Sequence, residues 1–182
     1  MNKQIFITLL LSIFFSNILF AQNVIFSFSN NVVLKEWLIV NDNVMGGVSK
    51  SELRINKDGS GVFCGTISTA YNGGFASIRY NFKRQYINAE KYIVLKIKGD
   101  GKKYQFRIKS SKEDYYAYVY PFRTTGDWEY IKIPLDKMYP SFRGMRLNIK
   151  NFNKDYLEEI SFLIGNKKNE NFNLLIDTIF LE

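Results

Sequence analysis

Trp37-Leu38-Ile39-Val40-Asn41-Asp42-Asn43-Val44-Met45-Gly46-Gly47-Val48-Ser49 carries the strongest fold signal in this chain. The apolar run Trp37–Val40 has strand character, being β-branched and aromatic. It breaks at Asn41-Asp42-Asn43, whose short polar side chains hydrogen-bond backbone in turns. Val44-Met45 then lead directly into Gly46-Gly47 and Ser49. A second glycine-marked corner follows at Asn72-Gly73-Gly74-Phe75-Ala76-Ser77-Ile78-Arg79. Paired glycines give the backbone positive φ and close approach, both of which side chains block. Two such corners, each flanked by β-branched and aromatic residues, predict a β-sandwich with shaped loops.

Working outward, nearly every segment reads as strand. The predicted strands are 24–28, 37–40, 51–56, 61–68, 75–82, 92–99, 103–110, 115–122, 128–134, 146–149, 159–165 and 172–181, separated by turn signals. That spacing argues for an all-β sandwich or barrel, with at most one helical turn at 135–139 before Pro140. Asp100-Gly101 is read as a two-residue hairpin. Ile93, Leu95 and Ile97 on one side and Tyr104, Phe106 and Ile108 on the other then face the core. Lys96, Lys98, Gln105, Arg107 and Lys109 fall together on the opposite face. The next strand alternates Tyr116, Tyr118 and Tyr120 with Tyr115, Ala117 and Val119, so one tyrosine set is expected to join that polar face.

The corners carry a resemblance. The chain resembles the complex I intermediate-associated protein 30 family in Asn41-Asp42 with Val44-Met45-Gly46-Gly47-Val48-Ser49, in Phe63-Cys64-Gly65, and in Asn72 to Arg79. Further matching blocks are Gly99-Asp100-Gly101-Lys102 with Tyr104, Trp128 with Pro134, Phe142-Arg143-Gly144, and Ile164-Gly165. The resemblance implies a galactose-binding-like jelly-roll β-sandwich. It also implies a non-enzymatic assembly or chaperone role on respiratory complex I (NADH:ubiquinone oxidoreductase), acting through protein contacts.

The ends and the composition bound the rest. Residues 1–21 read as a secretory signal peptide, with Lys3 before an apolar stretch and Ala21 at the cleavage point. The remainder, residues 22–182, suits one domain, exported to the periplasm or beyond and no integral membrane protein after cleavage. The 182-residue chain has a net charge of +8, spread rather than blocked, which favours acidic glycans, anionic membrane surfaces or acidic proteins over nucleic acid. The single cysteine, Cys64, reads as a buried thiol. There is no histidine, which removes His-based triads and His-ligated zinc or haem. No carboxylate spacing singles out a hydrolytic pair. No catalytic residue, cofactor or metal is expected.

Two surfaces are candidates for binding. The first is the basic, tyrosine-rich sheet face, Lys96, Gln105, Arg107, Lys109, Tyr116 and Tyr118, suited to polysaccharide or to a protein hot spot. The alternative is an ordinary solvated face. The second is the loop corner, where Asp42 and Asn43 lock a turn, hold calcium, or help dock a partner. A lock in which Gly46-Gly47 and Met45 pack against the sheet is favoured, because calcium needs more oxygens than the segment offers. Arg79 is expected to find a polar or carboxylate partner, and Arg143 is placed in an exposed loop. Trp37 and Trp128 are read as core anchors. The partner is thus a protein, such as a respiratory-complex subunit, or a polysaccharide.

Overall fold

The computed structural model describes residues 23–29 and 31–182, and the expected signal peptide, residues 1–21, lies outside them. Two antiparallel sheets pack face to face. The first runs β3 (Lys50–Ile55), β4 (Gly61–Ile67), β13 (Glu170–Leu181), β6 (Tyr92–Lys98), β9 (Trp128–Pro134), with β1 (Asn23–Ser27) also paired to β13. The second runs β11 (Met145–Arg146), β10 (Tyr139–Phe142), β8 (Ala117–Arg123), β7 (Lys103–Lys109), β12 (Tyr156–Ile164), β5 (Ala76–Tyr86), β2 (Trp37–Asn41). The all-β jelly-roll sandwich expected from the sequence is the observed fold. The helical segments among the described residues are short 3-10 turns, including Leu135–Lys137.

Period-two alternation builds the core. Ile93, Leu95 and Ile97 of β6 and Leu174, Ile176 and Ile179 of β13 are fully enclosed. From the other sheet, Tyr104, Phe106 and Ile108 of β7 and Ile160, Phe162 and Ile164 of β12 face them. Phe106 pairs in register with Phe162, their rings edge-on at 5.2 Å. Each such side chain contributes about 1.5–3 kcal/mol through burial.

The structure corrects the hairpin at Asp100-Gly101. β6 pairs with β9 and β13, whereas β7 pairs with β8 and β12, so this turn carries the chain from one sheet to the other. The inward apolar sets are the same in both arrangements. They meet across the sandwich instead of side by side, a difference that alternation does not register. Asp100 pins the crossing: its carboxylate accepts hydrogen bonds from the Tyr104 hydroxyl at 2.9 Å, the Asn173 amide at 2.9 Å and the Lys102 ammonium at 2.7 Å. The tight two-residue hairpin lies elsewhere, at Arg143-Gly144 between β10 and β11, with φ of 48° and 79°.

Two further readings change. Trp37 is buried among Phe26, Phe28 and Tyr80, but Trp128 is 44% exposed. Parity explains this: Trp128 shares its face of β9 with exposed Tyr130, while Ile133 points into the core. Cys64 is half-buried rather than buried, opposite Glu52 on the outer face of β4, with its thiol 3.4 Å from the Glu52 carboxylate.

Candidate functional site

Asp42 opens a single 3-10 turn, Asp42–Met45, and is fully enclosed. Its side chain ties the two glycine corners together. Oδ1 accepts a hydrogen bond from the Ser49 amide at 2.9 Å, and Oδ2 accepts one from the Ser49 hydroxyl. Oδ2 also accepts from the Gly74 amide at 2.6 Å and, more weakly, the Phe75 amide at 3.3 Å. The Asp42 amide in turn donates to the Phe75 carbonyl at 3.2 Å. Burial pushes the Asp42 carboxyl pKa up, but these donors together outweigh it and hold the group below its usual value.

The glycines are needed because the carboxylate fills their side-chain space. A Cβ on Gly47 would lie 2.4 Å from Asp42 Cγ, and one on Gly73 would lie 2.5 Å from Asp42 Oδ2. Asp42 therefore clamps the corners from within and presents no oxygen to a partner. The calcium alternative also fails on electrostatics, since the oxygens face N–H and O–H hydrogens, which repel a cation. Asn43 is exposed on the turn. Met45 is 63% exposed instead of packed against the sheet. Val44 and Val48 on the same loop and Tyr71 on the second corner are also exposed, and Tyr71 and Asn72 hold positive φ. The clamp thus presents apolar side chains outward.

The expected basic face divides. Lys96 belongs to the other sheet, where it pairs with Asp177 at 3.3 Å and sits near the Trp128 ring. Tyr118 opposes Ile108 in register, so it points inward and is 2% exposed. Tyr116 packs against the core as well, its hydroxyl 3.3 Å from that of Tyr118. The tyrosine set took the core-facing parity, because the register with β7 puts Tyr120 opposite Phe106.

Gln105, Arg107 and Lys109 do share the outer face of the seven-stranded sheet. The register places unforeseen neighbours there. One row across the sheet reads Tyr139, Val119, Arg107, Ser161, Arg79, Leu38 from β10 to β2. The next row holds Glu159 opposite Lys109 and Asn81, with the Lys109 ammonium 3.7 Å from the Glu159 carboxylate. A register shift between Leu157 and Glu159 re-aims β12, so that Leu157 enters the core while Glu159 faces out. Even so, Glu159 and Ser161 are only 5% and 4% exposed, shielded by the long side chains around them.

Burial pushes the Glu159 carboxyl pKa up against the opposing pull of Lys109, Arg79 and Arg107. Burial and then the Arg79 charge pull Arg107 below its usual value, against Tyr139 and Glu159. Arg107 donates to the Gln105 side-chain carbonyl at 2.7 and 3.0 Å. Arg79 finds no hydrogen-bond or ion-pair partner among the described residues, contrary to expectation. Arg143 is exposed in its hairpin turn at the sheet edge, near the Phe142 ring. Tyr139, Glu159 and Ser161 were missed from sequence. Their signal was parity, since Glu159 and Ser161 alternate with Ile160 and Phe162, but their neighbours follow only from strand order.

The model of the family described as complex I intermediate-associated protein 30 matches residues 26–176. The chain belongs to this family. The mouse mitochondrial complex I intermediate-associated protein 30 is 24% identical over 179 residues, covering 86% of this chain and 55% of the mouse protein. The chain therefore spans about half the length of that relative. A family 11 carbohydrate-binding module from Clostridium thermocellum, solved with a β-1,3-1,4-mixed-linked tetrasaccharide, shares the fold at a TM-score of 0.65. That module is 20% identical, with 88% of this chain and 94% of the module covered. An agarase structure matches at a TM-score of 0.56 and 11% identity, over 87% of this chain and 24% of the agarase. At such identities the likeness is one of fold. The solved structures agree with the observed β-sandwich.

Proposed function

We propose that this member of the family is a non-catalytic, exported binding domain that assists assembly of respiratory complex I by holding a partner through protein contacts. The observation that carries this reading is the locked corner. Val44, Met45, Val48 and Tyr71 stand exposed on two loops fastened from beneath by Asp42. Apolar side chains held outward on a rigid support are what a protein contact needs, because little ordering entropy is lost on binding. Export to the periplasm or beyond directs the contact to envelope-exposed parts of the complex.

The test is crosslinking of the tagged protein in its own cells, followed by mass spectrometry. Respiratory-complex subunits should be captured by the natural chain and lost from a Val44→Asp, Met45→Asp variant whose urea midpoint is unchanged. A folded, abundant bait that captures no such subunit sinks the reading.

A second reading is favoured by the outer face of the seven-stranded sheet. Arg79, Gln105, Arg107, Ser161 and Tyr139 gather polar donors and an aromatic side chain in adjoining rows. Sugar rings use both kinds of group. The fold shared with carbohydrate-binding modules supports polysaccharide binding at this face.

A further inference from the structure

Arg79 and Arg107 stand on opposite sides of Ser161, one on each strand flanking β12. Two strand spacings, about 10 Å, separate their backbones, close enough for both long side chains to converge above the serine. Neither guanidinium makes an ion pair among the described residues, whereas the nearby Glu159 carboxylate is paired with Lys109. The row therefore holds two guanidinium groups with no carboxylate in ion-pair contact, Arg107 donating to the neutral Gln105 side chain. A half-buried arginine without a carboxylate partner carries a desolvation cost that a bound anion offsets.

We propose that Arg79 and Arg107 form a carboxylate subsite over Ser161, and that the face takes a uronic-acid-containing polysaccharide. This deepens the second reading above and rests on it. A uronate unit meets this need, its carboxylate bridging the arginines. A peptide fits less well. β5, β7 and β12 are interior strands whose backbone groups are used within the sheet, so no free edge is offered for strand addition.

The test measures binding of the purified protein to polygalacturonate, to the same polymer after carboxyl reduction, to neutral mixed-linkage β-glucan and to polyglutamate, by titration calorimetry at two salt concentrations. Polygalacturonate should bind at least ten-fold more tightly than its reduced form, and more weakly as salt rises. Arg79→Gln and Arg107→Gln should each lower that affinity about ten-fold or more, the loss of one charge-assisted fork. Arg107→Lys, which keeps the charge but not the fork, should lose most of it too. Lys57→Gln, in the turn between β3 and β4, should change nothing. Equal binding of the reduced polymer or β-glucan, untouched by the arginine changes, overturns the carboxylate subsite and leaves polysaccharide binding standing. Polyglutamate bound as tightly, with the same arginine dependence, overturns the uronate assignment. An equal loss in Lys57→Gln overturns a localised site in favour of diffuse attraction. Binding to none of the glycans overturns both this subsite and the second reading.

Discussion

Replacing Asp42 by Ala removes an acceptor that no other group can supply. The carboxylate receives the Ser49 amide at 2.9 Å, the Ser49 hydroxyl, the Gly74 amide at 2.6 Å and the Phe75 amide at 3.3 Å. Hydrogen bonds to a charged group are worth about 1.5–3 kcal/mol each, and a buried donor left unmade costs about 1–3 kcal/mol. The Phe75 contact is long, and the Gly74 and Phe75 amides are partly reachable by water, so the sum is about 3–5 kcal/mol. Against a total stability of about 5–15 kcal/mol for a domain, that is a large fraction. With a urea slope of ~2 kcal/mol/M, the unfolding midpoint should fall by about 2 M. Acidity gives an independent check. The folded carboxyl titrates below its unfolded value of about 4. Its stabilisation is therefore complete above that pH and is lost as pH falls through the lower folded value. The gap between natural chain and variant should narrow in the same window. A midpoint within about 0.3 M of the natural chain, at unchanged slope, would refute the clamp, since ~0.6 kcal/mol is less than one such hydrogen bond.

The remaining predictions concern packing and reactivity. Gly47→Ala and Gly73→Ala should each cost about 1–3 kcal/mol in urea unfolding, because the new methyl meets the Asp42 side chain; Gly73→Ala in an Asp42→Ala background should cost less. Trp37→Ala should cost about 3–5 kcal/mol and Trp128→Ala less than ~1 kcal/mol, since only the first leaves a cavity. Burial and then the Glu52 hydrogen bond and charge raise the Cys64 thiol pKa, so alkylation by iodoacetamide should be slow at neutral pH and rise with alkalinity. Glu52→Gln should speed it at fixed pH.

Much of this molecule follows from local pattern alone. Period-two alternation determined that Tyr104, Phe106 and Ile108 go inward and that Gln105, Arg107 and Lys109 go outward. Turn chemistry marked both glycine corners. It did not reveal that they are one structure. The bond from Asp42 to Gly74 joins residues 32 positions apart, and no spacing rule reports such closure. The same limit misplaced Lys96 and the tyrosines. Alternation gives the two faces of a strand, but strand order and register decide which face meets which neighbour. A tyrosine satisfies either face, apolar by its ring and polar by its hydroxyl, so Tyr118 was left to the tertiary fold, which buried it opposite Ile108. Asp100-Gly101 likewise specified a tight turn, while packing of the two apolar faces decided that it would cross between sheets. Local residue order specified an all-β chain with two turn-marked corners and a basic outer surface. Only tertiary structure brought Arg79 to Arg107 and placed Asp42 beneath its loops, because long-range pairing depends on how whole faces bury one another and not on residues near in the chain.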